Sequence, residues 1–394
     1  MSDLESDTLT CDVLIVGGGP AGLATAHTLA PHAKTIVIHQ DREIGKPVRT
    51  SGGTWVADMQ ALGVPPHLYQ QIDELLFRSD NREVVQPLAR RKCAVLDITG
   101  TYQWLAELAR GAGAAVYTDT KFMQTEETDD GFVSTIRSRS ITASRIKSRF
   151  IVDASGTPHA VLANLGLVEK PDRVGVGIEH EFEIKSAPRN RAVLFVGQAV
   201  KSGYGWIFPA PNNHIRIGVG IIQPDSDLSP RDIYNSVVTP AFLESYGLEL
   251  GPLVQVNAGI IPSVPYDPKL VFGNVIRVGD TANFATPTVG EGIRIAIKFG
   301  RILGERLGEA IAQGCRAPLV RYELECRKDL KRNYSFGFTA NERIATYDAA
   351  DWDRSLDRLS RLDEGEVVSL VKSEFTTWMM LKAAWKQVRH KVFD

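Results

Sequence analysis

Residues 12–22 read DVLIVGGGPAG, and this stretch decides the fold. Its first five residues form a short, mostly apolar run of the kind found in a buried parallel strand. The glycines that follow match the G-x-G-x-x-G pattern, which combines a tight turn, a close backbone approach to a diphosphate and close packing of helix on strand. The sequence therefore predicts a dinucleotide-binding strand, turn and helix. The residues expected at the diphosphate are Gly17, Gly19, Pro20, Ala21 and Gly22.

The residues after this unit predict a helix over 23–30 and a second strand over 35–38. A carboxylate usually follows the second strand, about twenty residues after the glycines, and binds the ribose hydroxyls. Counting without gaps places Gln40 there, and a shift of one residue places His39 there. Either side chain could hydrogen-bond a hydroxyl, although neither carries the negative charge of a carboxylate.

Two later segments repeat the pattern of an apolar strand that ends in a polar turn. Residues 150–156 read FIVDASG, and residues 275–280 read VIRVGD. The loop after the second of these ends in PTVGEG at residues 287–292, and a long helix is predicted directly after it, over 293–307. The chain thus offers further strand ends and a second helix start for the same ligand.

Together these segments resemble the flavoprotein family that includes geranylgeranyl reductases, p-hydroxybenzoate hydroxylase-type monooxygenases, lycopene cyclases and flavin-dependent halogenases. The resemblance implies FAD as the cofactor, with Asp280 at the ribityl and diphosphate side and the following helix start at the flavin pyrimidine. A helix N-terminus would stabilise the negative charge of a reduced ring. The alternative is that Asp280 only caps its turn. The cofactor contacts implied in these segments are Asp153, Gly156, Asp280, Pro287, Gly290, Gly292 and Ile293.

Residues 45–53, GKPVRTSGG, resemble a stretch that runs beside the flavin in geranylgeranyl reductases. Arg49 is expected at the cofactor, and Thr50 stands where many prenyl reductases carry a cysteine. A hydroxyl cannot replace a thiol that ionises near neutral pH, so Thr50 argues against prenyl reduction. Gln103 is expected to replace an Arg or Gln of the family, one turn after the aligned Ile98.

The segment from residue 170 to 261 alternates apolar and polar residues, which predicts antiparallel strands. Its glycine pairs at 175/177 and 218/220 have no helix after them, so no second nucleotide domain is predicted. NAD(P)H is therefore expected as a transient reductant on the FAD domain. Residues 203–209, GYGWIFP, resemble a reductase stretch whose aromatic residues face the substrate, and Thr50, Tyr204 and Trp206 are the candidate catalytic residues. The alternative is that these aromatic residues are only sheet core.

Charge and cysteine usage exclude other classes of protein. The chain of 394 residues has 45 Lys and Arg against 47 Asp and Glu, a net charge of -2, so no nucleic-acid partner is expected. Its four cysteines lack metal-binding or disulfide spacing, so we predict no metal site and a cytoplasmic location.

The predicted fold class is α/β, a Rossmann-like FAD-binding domain with an interleaved antiparallel β-sheet substrate domain and a helical C-terminal tail. From residue 367 the tail has apolar residues on one helix face together with several lysines. An interfacial membrane helix is conceivable there, and a helix that caps the substrate domain is favoured. The predicted boundaries are 1–75, 93–169 and 264–345 for the FAD domain, 76–92 and 170–263 for the substrate domain, and 346–394 for the tail.

We expect an FAD-dependent oxidoreductase that uses NAD(P)H to reduce or hydroxylate a hydrophobic or aromatic small molecule, with double-bond reduction slightly favoured. An aromatic-hydroxylating monooxygenase is the main alternative. A flavin-dependent halogenase and a redox-neutral cyclase are less favoured.

Overall fold

The structure is a computed structural model that describes residues 7–377 and residue 379. Its strands, numbered in chain order, are β1 (Thr8–Val16), β2 (Thr35–Ile38), β3 (Gly53–Trp55), β4 (Tyr69–Ile72), β5 (Glu74–Arg78), β6 (Glu83–Pro87), β7 (Cys93–Leu96), β8 (Ala115–Tyr117), β9 (Thr120–Thr128), β10 (Gly131–Ser138), β11 (Arg145–Asp153), β12 (Val174–Ser186), β13 (Arg191–Phe195), β14 (Gly203–Ala210), β15 (His214–Gln223), β16 (Glu249–Pro262), β17 (Val271–Phe272) and β18 (Val275–Arg277).

The α-helices are α1 (Pro20–Leu29), α2 (Val56–Ala61), α3 (Ile98–Gly111), α4 (Ala160–Asn164), α5 (Pro230–Val237), α6 (Pro240–Ser245), α7 (Ile293–Gln313), α8 (Ala317–Ile344), α9 (Ala349–Leu359) and α10 (Glu364–Val371). Short 3₁₀ turns lie at Pro66–Leu68, Gln198–Val200 and Gly279–Ala282.

The first sheet has the order β17-β18-β11-β1-β2-β8, and the β9–β10 hairpin joins it at β11. Strands β18, β11, β1, β2 and β8 run parallel. The register pairs Val16 with both Ile38 and Asp153, and it pairs Asp153 with Arg277. Four strands therefore end at one edge of the sheet, which brings the turns after them side by side. Open α/β sheets bind their ligands at this kind of edge.

Helix α7 packs against α1 more closely than helices with ordinary side chains could. A Cβ atom on Gly300 would lie 2.6 Å from the carbonyl oxygen of Ala21, and one on Gly304 would collide with the carbonyl oxygen of Thr25. The hydroxyl of Thr28 donates to the Arg301 carbonyl oxygen across the same contact (2.8 Å). Glycine at these positions lets the two backbones approach each other.

The second sheet has the order β16-β12-β15-β14-β13-β5-β6. Its neighbours are antiparallel, as predicted, except that β5 and β13 run parallel. Because no hairpin joins β5 to β13, local sequence does not set the direction of that pair. A third, small sheet has the order β3-β7-β4. The α/β fold class is confirmed, whereas the predicted division into segments stays a prediction.

The C-terminal helices pack on both larger sheets. Tyr322 and Tyr334 of α8 donate their hydroxyls to the carbonyl oxygens of Arg277 (3.1 Å) and Phe284 (2.7 Å). Leu356 of α9 and Val367 of α10 belong to the same buried cluster as residues of the second sheet. The described part of the tail therefore covers the second sheet. The predicted lysine-bearing face beyond residue 379 lies outside the described residues.

Within the part of the chain that the structure describes, no helix combines the length and the apolar character needed to cross a membrane.

The α1–α7 contact gives a stability prediction. Gly304→Ala should lower the free energy of unfolding by about 1–3 kcal/mol, because the added methyl group overpacks a backbone contact. Gly111→Ala is the matched control, since a Cβ on the exposed Gly111 would meet nothing within 4 Å. That control should be neutral or stabilising by up to about 1 kcal/mol. Urea unfolding measures both variants, and equal midpoints would contradict the close packing of α7 on α1.

Candidate functional site

Of the three motif glycines in the turn after β1, two leave no room for a Cβ atom and the third faces open space. Gly17 has φ +118°, and a Cβ there would collide with the carbonyl oxygen of Ala154 in the neighbouring turn. A Cβ on Gly22 would collide with the carbonyl oxygen of Gly17. A Cβ on Gly19 would meet nothing within 4 Å, although Gly19 caps the N-terminus of α1. This arrangement fits a diphosphate that approaches the backbone at Gly19.

The helix α1 begins with Pro20 at its first position, and no side chain caps it. The first N–H groups of a helix have no partner inside the helix, and the helix dipole favours an anion next to them. Ala21 and Gly22 follow in this first turn. The start of α1 therefore offers the donors and the field that a diphosphate needs.

At the end of β2, His39 rather than Gln40 faces the glycine turn. The Gly18 N–H donates to Nδ1 of His39 (3.3 Å), whereas the Gln40 side chain is exposed. Asp41 folds back towards this site: its carboxylate lies 3.5 Å from His39 Nε2 and accepts two hydrogen bonds from the Arg49 guanidinium (2.8 and 3.2 Å). Burial lowers the pKa of His39, against the opposing effect of Asp41, which suits a neutral ring that accepts at Nδ1.

The turn after β11 is held by its own aspartate. The buried carboxylate of Asp153 accepts from the N–H and hydroxyl of Ser155, and from the N–H groups of Val161 and Leu162 in α4. This carboxylate accepts four hydrogen bonds, so Asp153 stabilises the turn that follows it. Gly156, with φ +82°, donates its N–H to the Thr281 hydroxyl (3.1 Å) and so ties this turn to the next one.

Asp280, in the turn after β18, is a half-buried carboxylate without a hydrogen-bond or ion-pair partner among the described side chains. Burial raises its pKa from 3.8 to about 6. Burial raises the pKa of Tyr102 in α3, Asp280 adds to this effect and Arg49 opposes it, so Tyr102 lies within electrostatic reach of both charged side chains. A half-buried acceptor without a protein donor fits the hydroxyl-rich ribityl chain of FAD.

The start of α7, where the flavin ring is predicted to bind, has no side-chain cap. Gly290 has φ +73°, and Gly292 caps the helix without a side-chain hydrogen bond, so Ile293 begins α7 with free N–H groups at the turn. Glu291 is structural: its two oxygens accept from the Thr54 hydroxyl (2.8 Å) and from Arg294 Nε (2.9 Å). The loop from Pro287 to Gly292 is thereby held against the small third sheet.

A cavity of about 550 Å³ lies between the second sheet and the C-terminal helices. A smaller cavity of about 80 Å³ adjoins the start of α7. The two cavities share Thr50, Ser51, Tyr204, Val289 and Gly290 in their walls. The large cavity therefore meets the predicted flavin loops at Thr50 and Gly290. Most of its wall is apolar, including Val176, Ile178, Leu194, Ile221, Ile344 and Leu359.

Tyr204 and Trp206 line this cavity, and each also has a structural role. The hydroxyl of Tyr204 donates to the carbonyl oxygen of Val289 (2.5 Å), which holds the loop before α7. The indole of Trp206 lies over strands β12 and β15, where a Cβ on Gly218 would collide with its ring and one on Gly177 would lie 3.4 Å away. The glycines inside these strands therefore make room for an indole, in keeping with the absence of a nucleotide motif there.

Sequence reasoning missed a buried polar cluster on the cavity side of β12. Glu179 accepts from Trp206 Nε1 (2.6 Å) and from Asn257 Nδ2 (2.9 Å), and it is only 3% exposed. Glu181 accepts from Arg216 Nε (3.1 Å) and Gln255 Nε2 (2.8 Å). The available signal was two carboxylates at positions i and i+2 of one strand, because such residues share one sheet face.

The sequence pattern predicts a cofactor contact for Gln103 and gives no signal for its neighbour Tyr102. In the structure, Gln103 donates to Glu43 at the exposed surface (2.8 Å), whereas Tyr102 lies near Asp280. The two residues point in different directions because neighbours on a helix differ by about 100°. A cofactor contact of Gln103 stays a prediction, as do the contacts of the other residues named from the sequence.

Aligned strand ends, a glycine turn at a helix start and an unpaired acid beside a second helix start define a flavoprotein of the FAD-binding α/β class. A family model described as "FAD binding domain" matches residues 10–336, and the chain belongs to this family. The protein is an FAD-dependent oxidoreductase, and the resemblance to the flavoprotein family is confirmed.

The similar proteins include both reductases and a monooxygenase. The chain is 26% identical, over 76% of its length and 78% of the relative, to digeranylgeranylglycerophospholipid reductase 3 of Methanosphaera stadtmanae. The structure of a geranylgeranyl bacteriochlorophyll reductase-like protein from Thermoplasma acidophilum matches 93% of this chain and 96% of its own, with a TM-score of 0.78 and 20% identity. A p-nitrophenol 4-monooxygenase from Pseudomonas putida matches 93% and 99%, with a TM-score of 0.72 and 16% identity. The solved structures show the shared fold.

The open position at Gly19 gives a prediction that separates binding from folding. Gly19→Ala should keep the fold, because its φ of -85° suits alanine and a Cβ meets no protein atom. A loss below about 1 kcal/mol is expected from the weaker N-cap. The purified variant should carry much less FAD per chain than the wild type, measured by flavin absorbance. An unchanged flavin content would contradict a diphosphate at this turn.

Asp280 gives a pH prediction for the apoprotein. Because burial raises its pKa, the folded chain holds a proton that the unfolded chain has already lost, so this residue makes stability fall as pH rises from about 4 to about 6. Asp280→Asn removes that cost. The variant apoprotein should therefore be more stable than the wild type above pH 6, and the gain should vanish towards pH 4.

Urea midpoints of both apoproteins across this pH range measure the effect, with Asp172→Asn at the exposed surface as the matched control. A gain that is the same at every pH would show that the Asp280 carboxylate is not the group responsible.

Proposed function

We propose that the protein reduces a carbon–carbon double bond in an apolar substrate, with FAD as its cofactor and NAD(P)H as its reductant. The observation that carries this proposal is the apolar cavity of about 550 Å³ that meets the flavin loops at Thr50 and Gly290. Its size falls within the roughly 300–1,000 Å³ of typical small-molecule sites. The names of the relatives, digeranylgeranylglycerophospholipid reductases, support a substrate with an isoprenoid chain.

The residues at the strand ends fit FAD in its extended form. In this proposal the glycine turn and the start of α1 hold the diphosphate, His39 lies at the adenosine ribose, and Asp280 accepts from the ribityl chain. The start of α7 at Gly292 faces the flavin pyrimidine, beside the loop that contains Thr50. When bound, FAD supplies reversible two-electron redox chemistry at this junction.

The chain's own residues position the substrate and keep water away from it. Tyr204 fixes the loop at Val289, so the wall between the two cavities stays in place. The tail closes the other side: Arg294 bonds Glu374 (3.0 Å) and the Lys372 carbonyl oxygen (3.0 Å), and Lys372 pairs with Asp58 (2.9 Å). These bonds hold the end of α10 against the flavin loops, which encloses an apolar chain between sheet and helices.

Hydroxylation of an aromatic ring is the second candidate function. Thr50 favours it, because the position at the junction of the two cavities holds a hydroxyl that does not ionise near neutral pH. The fold shared with a p-nitrophenol 4-monooxygenase is compatible with it.

Product mass distinguishes the two functions. The purified, yellow protein is mixed with NADH or NADPH under anaerobic conditions, and bleaching of the flavin absorbance is expected with at least one of them. Digeranylgeranylglycerophospholipid and p-nitrophenol are then supplied separately, with and without oxygen. Reduction adds two hydrogen atoms to the lipid and needs no oxygen, and this is the expected result.

A product that contains one added oxygen atom, formed only in air, would replace reduction by hydroxylation. Flavin absorbance that persists with both nucleotides would overturn the role of NAD(P)H.

A further inference from the structure

The large cavity contains one carboxyl group that the cofactor site does not use. Glu179 lies on β12 in the cavity wall, which Thr50 and Gly290 of the predicted flavin loops also line. Its oxygens accept from the Trp206 indole and from the Asn257 amide, which fixes the carboxyl in one orientation. An acid held in place beside an apolar chamber is in the right position to exchange a proton with whatever fills that chamber.

The positive charge nearest to Glu179 is shared with a second acid. One guanidinium, Arg216, serves two buried carboxyl groups, and it lies 3.1 Å from Glu181 but 3.9 Å from Glu179. Its remaining bonds go to the backbone carbonyl oxygens of Ser51 and Leu96 (both 2.9 Å). Arg216 is therefore bound more closely to Glu181 and to the loop beside Thr50, whereas the hydrogen bonds to Glu179 come from the neutral side chains of Trp206 and Asn257.

The pKa values of the two acids move in opposite directions. Burial raises the pKa of Glu179, against the opposing effects of Arg216, Asn257 and Trp206. Burial acts in the same sense on Glu181, but Arg216 and the bonds from Gln255 and His214 outweigh it and lower that pKa. Two neighbouring carboxyl groups whose environments separate their pKa values are a common arrangement for an acid and a fixed anion.

We propose that Glu179 is the proton donor for reduction of the substrate double bond; this inference rests on the proposed function. Reduced FAD, when bound, would supply a hydride to one alkene carbon. The other receives the carboxyl proton of Glu179 as the π bond breaks. The product gains two hydrogen atoms, and the carboxylate left behind is stabilised by the N–H groups of Trp206 and Asn257. The carboxylate of Glu179 then takes up a proton from the solvent, so that each turnover consumes one proton from solution.

Every titratable or charged group that faces Glu179 enters its pH dependence. Arg216 comes from β15 and Glu181 from β12 itself, and Tyr204 from β14 and Tyr234 from α5 lie within electrostatic reach. Burial keeps both tyrosines protonated, since it raises their pKa values. Glu179 is therefore the group in this cluster that can lose a proton to the substrate and regain it.

The first test measures protonation without any reaction. Infrared difference spectra of the oxidised holoprotein, wild type minus Glu179→Gln at neutral pH, should show the carbonyl stretch of a protonated carboxylic acid. The band should shift in D₂O, and it should remain in Glu183→Gln, which changes an exposed carboxylate of the same strand. Loss of a carboxylate band instead would show that Glu179 is ionised and would overturn the proposal.

The second test separates the two half-reactions. In Glu179→Gln, bleaching of the flavin by NAD(P)H should match the wild type, whereas reoxidation of the bleached enzyme by digeranylgeranylglycerophospholipid should slow about 100-fold or more, as for loss of a general acid. The same reoxidation rate in variant and wild type would overturn the proposal.

Trp206→Phe keeps the test decisive if Glu179→Gln fails to fold. It removes one N–H that favours the carboxylate, so the alkaline fall of the reoxidation rate should move to higher pH. An unmoved pH profile would count against Glu179. If the lipid is not reduced at all, the proposed function fails, while the infrared spectrum still decides the protonation of Glu179.

Discussion

The structure depends on one constraint, the close backbone approach at the carboxyl edge of the parallel sheet. The turn at Gly17 touches Ala154 in the next turn, and helices α1 and α7 touch through Gly300 and Gly304. Because these contacts leave no space for a Cβ atom, the turns after β1 and β11 lie against each other and α7 lies against α1. We expect the glycine turn, Asp280 and the start of α7 to contact a single extended cofactor.

The sequence predicts this half of the molecule because its signals are local. A β-branched run, a glycine pattern and a helix start lie within residues 12–30, and similar strand ends recur before Asp153 and Asp280. The hydrogen-bond partners of an acid at a strand end are harder to predict, because they depend on the folded surroundings. Asp153 and Asp280 look alike in sequence, yet one is saturated by its own turn and the other has no protein partner among the described residues.

The substrate half could be predicted only in outline. The alternation of apolar and polar residues predicts the strands. It does not predict the cluster of Glu179, Arg216 and Asn257, which joins three strands that are far apart in sequence. The pairing of Asp41 with Arg49 likewise depends on a loop that folds back, which spacing alone does not reveal. Local patterns therefore predict the FAD-binding fold, whereas the polar cluster in the cavity wall forms only when distant strands are brought together.

A crystal structure of the protein with FAD tests the central claim most directly. The account predicts the diphosphate against Gly19 and the start of α1, the ribityl chain beside Asp280, and the flavin ring between Thr50 and Gly292 with one face towards the cavity of Tyr204. A diphosphate bound away from the glycine turn, or a flavin ring separated from that cavity by side chains, would contradict it.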